Sequence, residues 1–217
     1  MKGPDAIWLV RHGPIDVEYG VCVGSTDVPL AAAENALVRA KALASLIRSA
    51  DAVYSSDARR AYNTAQALAA VINAPLETTP DLRELAFGAW EMRAWADIER
   101  DDPANYARFM ADWRSERTPG GESYGDLEAR VRNWWTRIAQ RHDGGSVVVV
   151  GHGGSLRILA SHLLSMTAEE AIFMPFGRGH AAIIRPATGA RVLDIDPFEP
   201  SDVEEIEKPD QHLTARP

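Results

Sequence analysis

Two short stretches of this chain end alike. Residues 7–13 read Ile-Trp-Leu-Val-Arg-His-Gly, and residues 147–154 read Val-Val-Val-Val-Gly-His-Gly-Gly. Each is an apolar run that stops at a histidine followed by glycine. Apolar runs rich in β-branched residues are the pattern of parallel strands buried on both faces. In an open α/β sheet, ligands bind just past the carboxyl ends of the strands. His12 and His152 therefore stand where such a fold keeps its active site.

The remaining pattern fits that frame. Strands are expected at residues 6–10, 51–55, 76–79, 147–150, 181–184 and 191–195. Between them lie helix-like stretches. Residues 34–48 place Leu37, Ala40, Ala44 and Ile47 on one face, and residues 57–72 do the same with Ala61, Ala65, Leu68 and Ile72. Asp57 is the expected N-cap of the second. Ser123 opens a helix with Leu127, Val131, Trp134 and Ile138 inward, and another spans 156–164. Residues 11–30 and 118–122 read as loops. Residues 82–91 read as irregular, and 92–113 as one or two short helices broken near Pro103. Strands alternating with helices imply an α/β fold with a mostly parallel sheet. At 217 residues, one domain over 1–195 is expected. Residues 196–217, which carry seven acidic residues, read as a solvated, Pro-containing C-terminal extension.

Composition narrows the class of function. The chain is 46% hydrophobic and 25% charged, enough to bury a core. A net charge of -8 lacks the basic footprint of a general nucleic-acid binder. The single cysteine, Cys22, cannot form an intrachain disulfide. The apolar stretch before Arg11 is too short for a signal-peptide core. No run approaches the roughly 18 apolar residues of a membrane span. The expectation is a cytoplasmic protein without a nucleic-acid or membrane partner, with a homodimer left open.

A strand-end histidine alone is as well explained by a hydrogen-bonded core side chain. Arg11 changes the balance, because an arginine beside a histidine in a cleft is costly unless an anion joins them. The run Ser55-Ser56-Asp57-Ala58-Arg59-Arg60 passes from strand end to helix and puts Arg60 near a helix N-terminus, which favours an anion. Without the rest, solvated surface arginines explain it equally well. Gly153 and Gly154 would let backbone amides approach a ligand closely, although ordinary loop glycines read the same. Together these residues suggest phosphoryl transfer through a nucleophilic histidine, with arginines stabilising the phosphoryl oxygens and no metal required.

Five motifs occur in order: Arg11-His12-Gly13; Ser55-Ser56-x-x-x-Arg60-Ala61-x-x-Thr64-Ala65; Leu82-x-Glu84-x-x-x-Gly88-x-Trp90-Glu91; Pro119-Gly120-Gly121-Glu122-Ser123; and His152-Gly153-Gly154. This series resembles the histidine phosphatase superfamily, which includes the cofactor-dependent phosphoglycerate mutases. The resemblance covers residues 7 to about 164. It implies an α/β three-layer sandwich, phosphoglycerate-mutase-like, with helices on both faces of a mostly parallel central sheet and a helical lid over about 92–117. It also implies roles. His12 would be the phosphorylated nucleophile. Arg11, Arg60, His152 and Gly153 would bind the phosphoryl group, and Glu84 would serve as acid and then base. No cofactor or metal is implied, and the partner would be a small phosphorylated metabolite.

Within the superfamily, Gly20-Val21-Cys22-Val23-Gly24-x-x-Asp27-Val28-Pro29-Leu30 looks most like α-ribazole phosphatase-type members, which act in cobalamin lower-ligand assembly. Three positions depart from the usual pattern. Pro14 stands where an acid is common, Glu18 where asparagine is frequent, and Met92 where glycine commonly follows Trp-Glu. Four other readings compete: a broad sugar-phosphate phosphatase, a mutase-like enzyme, a metal-dependent hydrolase, and a non-catalytic phosphate-binding module. Fixed cations at Arg11 and Arg60 weigh against a divalent metal.

Overall fold

The computed structural model of the chain describes residues 3–31, 35–174, 176–194 and 201–206. Strand β1 (Ala6–Arg11) lies at the centre of a seven-stranded sheet. On one side follow β6 (Ser146–Gly151), β3 (Ala52–Ser56) and β4 (Leu76–Thr79), all parallel to it. On the other side come β7 (Ala181–Arg185), β8 (Gly189–Asp194) and β9 (Ser201–Ile206), each antiparallel to its neighbour. The sheet is mixed, with its parallel half formed by the strands that carry the two histidine units.

Side chains alternate across the sheet, as the two-residue period of a strand requires. Ile7 and Leu9 enter one core with Val147 and Val149, under α5 (Tyr124–Ala139) and α6 (Gly153–Leu164). Trp8 and Val10 enter the other with Val148 and Val150, under α1 (Asn35–Ile47) and α2 (Arg59–Ile72). Both faces of β1 and β6 are therefore dry, which explains their unbroken apolar composition. Each fully buried Val or Ile there contributes on the order of 1.5–3 kcal/mol. Two helices on either side of one sheet make the expected three layers.

Several local expectations are corrected. Asp57 does not cap α2. That helix begins one residue later, after Ala58, and Asp57 pairs with Arg83 at 2.6 Å. In α1, Leu37 is exposed, and the inward face is Ala40, Leu43 and Ile47. Ser123 does cap α5, in a reciprocal box with Asp126. Helix α6 starts at Gly153, earlier than periodicity suggests, because its first turn is built from glycines. A short helix, α7 (Ala168–Ala171), also lies outside the sequence reading. Within the C-terminal extension, residues 201–206 form β9 on the sheet edge instead of a solvated tail, while 195–200 and 207–217 lie outside the described residues.

The segment expected as a lid forms α3 (Trp95–Asp101) and α4 (Pro103–Ala111), with Pro103 opening the second helix. A two-residue ribbon, β2 (Val21–Cys22) with β5 (Arg93–Ala94), ties its base to the loop after His12. Met92 enters this ribbon with φ 62°, and its amide donates to the Cys22 carbonyl at 2.6 Å. That left-handed conformation is the one glycine adopts without cost, whereas an L side chain loses about 1 kcal/mol or more. Met92→Gly is expected to raise unfolding stability by up to about 1 kcal/mol, and Met92→Val to lower it, when measured by urea denaturation.

Candidate active site

Strands β1 and β6 run parallel and in register, Arg11 beside Gly151. Leaving the sheet together, they deliver His12 and His152 to the same point, with ring centroids 5.1 Å apart. The His12 amide donates to the Gly151 carbonyl at 3.1 Å, which locks the two exits to each other. One strand further over, β3 ends at Ser56, and α2 begins immediately with Arg59 and Arg60. The sequence-predicted residues Arg11, His12, Arg60, Glu84 and His152 all line one cavity of about 440 Å³.

Each side chain has a fixed orientation. The His12 Nδ1 lies 2.8 Å from the Gly13 carbonyl, which can only accept, so Nδ1 carries the hydrogen and Nε2 keeps its lone pair. Arg60 is 1% exposed, and its Nη1 and Nη2 donate to the carbonyls of Thr26 (2.6 Å) and Gly24 (2.8 Å). That loop is in turn held by Glu91, which accepts from the Ser25 amide at 3.0 Å, the Ser25 hydroxyl at 2.8 Å and the Thr26 hydroxyl. Burial pushes the Glu91 carboxyl up, but these bonds outweigh it and hold it below the usual range. Glycine at 24, with φ +54°, leaves room for the carboxylate. A Cβ there would meet Glu91 Oε1 at 2.6 Å.

Glu84 is held by backbone amides. The Gly154 N–H, in the first turn of α6, lies 3.1 Å from both Glu84 oxygens, and the Leu85 amide donates at 3.0 Å. A Cβ at position 154 would come within 2.3 Å of Glu84 Oε1. Gly154 is thus needed for close approach to the acid. Gly153 packs instead against guanidinium groups, where a Cβ would sit 3.3 Å from Arg11 Cζ and 3.0 Å from Arg157 Nη1. It is not among the residues that line the cavity, whereas Gly154 is.

Two cavity arginines escape the sequence reading. Arg157 donates through Nε and Nη2 to the Met174 carbonyl, at 3.2 and 3.0 Å. Its position four residues after Gly153 put it on the same helix face, a signal that was available. Arg178 comes from an irregular segment with no periodicity to announce it. Glu18 and Pro14 are exposed and are not among the cavity-lining residues, so these departures leave the cluster untouched.

The electrostatics favour an anion. The cavity is lined by four arginines and one carboxylate, Glu84. Burial first, then Arg60 and Arg11, push the His12 imidazole down to about 3 against the opposing Gly13 carbonyl. Burial, then His12 and Arg60, hold His152 well below its ordinary value. Both rings are therefore neutral near pH 7. Among the described residues, three of the six buried side-chain polar atoms without a partner belong to this cluster: Arg11 Nε, Arg60 Nε and His152 Nδ1. Such atoms are rare in folded proteins, and here three of them fall on side chains that line one cavity.

The neutral histidines predict a pH effect on stability. Below the ordinary value of 6.5, the unfolded chain takes up protons that the folded His12 refuses until about pH 3. Stability must then fall as pH drops through that window. Thermal melts should give a lower Tm at pH 5 than at pH 7, with a shallower slope for His12→Asn. Equal slopes for the two proteins would show that His12 titrates normally.

The cavity also has an aromatic wall, with Phe87, Trp95, Phe109, Trp113 and Tyr124 among its lining residues. Phe87 meets Trp95 edge-on at 5.4 Å, and Trp113 meets Tyr124 at 4.7 Å. Trp95, Phe109, Met110 and Trp113 all come from the α3–α4 segment or its end. Burial pushes the Tyr124 hydroxyl up to about 12, so it stays protonated.

Comparison with known proteins accords with this geometry. Residues 7–194 match the model of the histidine phosphatase superfamily (branch 1). The chain is 33% identical over 167 residues to an adenosylcobalamin/alpha-ribazole phosphatase of Salmonella typhimurium, covering 76% of this chain and 82% of that protein. Its fold is similar to the crystal structure of the alpha-ribazole phosphatase from Shigella flexneri, with a TM-score of 0.74 and 26% identity over 94% of this chain and 96% of that one. It is also similar to a mycobacterial glucosyl-3-phosphoglycerate phosphatase, with a TM-score of 0.70 and 27% identity over 82% and 89%. The chain belongs to the histidine phosphatase superfamily, branch 1.

Proposed function

We propose that this protein hydrolyses a phosphomonoester through a phosphohistidine at His12. The observation that carries the reading is that Arg11, Arg60 and His152, each with one buried unpartnered nitrogen, line the same cavity as a neutral His12 whose Nδ1 is committed to Gly13. That arrangement suits a tetrahedral anion. Arg11, Arg60 and His152 take the phosphoryl oxygens. The His12 Nε2 lone pair attacks phosphorus as the ester oxygen departs. Glu84, in its acid form, gives that oxygen its proton. As carboxylate it then removes a proton from the water that attacks the phosphohistidine, releasing phosphate and restoring the imidazole. No step requires a metal.

Glu84's hold on the Gly154 amide keeps the acid beside this centre. Gly153 contributes by its lack of a side chain, which lets Arg11 and Arg157 close in. The α3–α4 segment, within residues 92–117, acts as the lid of a single domain over 1–195 and excludes water from the phosphohistidine. The cytoplasm is the expected compartment. Among the described residues no helix is long and apolar enough to cross a membrane.

The substrate is proposed to be α-ribazole 5'-phosphate, on the strength of the Salmonella and Shigella relatives. The aromatic wall accords with this reading, since a flat base can pack on Trp and Phe faces. A panel of phosphomonoesters ranked by kcat/KM tests it. α-Ribazole 5'-phosphate is expected to exceed simple sugar phosphates by about tenfold or more. Equal values across the panel would replace it with a broad-specificity phosphatase.

A further inference from the structure

Ser56 closes β3 with its side chain fully buried, and its hydroxyl lies 2.9 Å from His152 Nε2. The same oxygen accepts from the Ala58 amide at 3.3 Å. The other ring nitrogen, His152 Nδ1, is buried without a hydrogen bond of ordinary geometry, and the Ser155 amide in the first turn of α6 faces the His152 side chain. His152 is 1% exposed and lines the cavity beside His12.

Only two placements of hydrogen fit these contacts. In one, Nε2–H donates to Ser56. The Ser56 hydroxyl hydrogen then has no hydrogen-bond acceptor among the described residues, and the Nδ1 lone pair has only the Ser155 amide facing it, without a hydrogen bond of ordinary geometry. In the other, the Ser56 hydroxyl donates to Nε2, its oxygen accepts from Ala58, and Nδ1 carries the hydrogen. Every polar group then has a partner except Nδ1–H, and that donor is the one the phosphoryl group would complete. A buried network that satisfies both the hydrogen and the oxygen of the Ser56 hydroxyl is favoured over one that strands that hydrogen.

We propose that Ser56 is a positioning residue that fixes His152 as its Nδ1–H tautomer, so that a neutral imidazole presents a hydrogen-bond donor to the phosphoryl oxygen. The assignment rests on the phosphatase reading for its purpose but makes a separate claim about where one proton sits. It gives the second strand-His-Gly unit a chemical reason for crossing to β3. A histidine held from below by a hydroxyl keeps one donor aimed at the developing charge without becoming a cation, which would compete with the arginines for the same oxygens.

The test uses the whole protein labelled with ¹⁵N-histidine, its six histidines sorted by comparison with the spectrum of His152→Gln. In the wild type, His152 is expected to show a protonated Nδ1 and an unprotonated Nε2, both without ligand and with vanadate bound. Ser56→Ala is expected to mix or reverse that pattern and to lower kcat/KM on a generic phosphomonoester about tenfold to a hundredfold, since a misdirected donor is close to a missing one. A protonated Nε2 in the wild type overturns the inference, and that spectrum stands even if the variant folds poorly. An unchanged tautomer in folded Ser56→Ala also overturns it. A wild-type protein that turns over no phosphomonoester counts against the phosphatase reading instead, and the tautomer is still read directly.

Discussion

His12→Ala is expected to lower kcat on any phosphomonoester by about 10⁴-fold or more, the scale seen when a covalent nucleophile is removed. The side chain sits at the one point where β1 and β6 leave the sheet together, with Nδ1 committed to Gly13 and Nε2 free. No neighbour can replace it. His152 Nε2 is already engaged by Ser56, and the Cys22 thiol is pushed up to about 12 by burial and then by Glu91 and Glu84. Arg11 and Arg60 are held by backbone carbonyls and do not depend on the imidazole for their positions. Vanadate should therefore still bind His12→Ala, within about tenfold of wild type. Equal turnover by the two proteins would remove His12 from the mechanism.

Glu84→Gln should lower kcat by about 10²–10⁴-fold while leaving vanadate affinity nearly unchanged. Glutamine keeps one oxygen to accept the Gly154 and Leu85 amides, so the site's shape survives and only the proton transfer is lost. The deficit in kcat/KM, which reports phosphoenzyme formation, should shrink for substrates whose leaving group needs no proton, such as p-nitrophenyl phosphate, while kcat stays low because dephosphorylation still lacks its base. Loss of vanadate binding in the same variant would make Glu84 a structural brace for α6 and not an acid. The two variants thus separate making the phosphoenzyme from assisting the leaving group.

The central strands and their histidines were legible because burial on both faces leaves an unbroken apolar run, and few other environments write that pattern. The helices followed from periodicity, except where packing overrode it. Leu37 has the spacing of a core residue, yet α1 rotates Leu43 inward instead. Asp57 has the chemistry of an N-cap, but a tertiary partner, Arg83, claimed it first. Two-residue elements such as β2 and β5 have no period to read. Arg178 and the Glu91 brace were opaque for a related reason, since both act across long sequence separations. Glu91 reaches Ser25 66 residues away, and only the folded chain shows that this contact holds Arg60's carbonyl ligands in place.

The most direct test of the account is a rapid quench with ³²P-labelled substrate followed by peptide mapping. The label is expected on the peptide containing His12, lost in acid and stable in alkali, and absent from His12→Ala. It should accumulate further in Glu84→Gln for a good leaving group, because dephosphorylation then lacks its base. Turnover with no labelled protein, or with an acid-stable label elsewhere in the chain, would contradict covalent catalysis at His12.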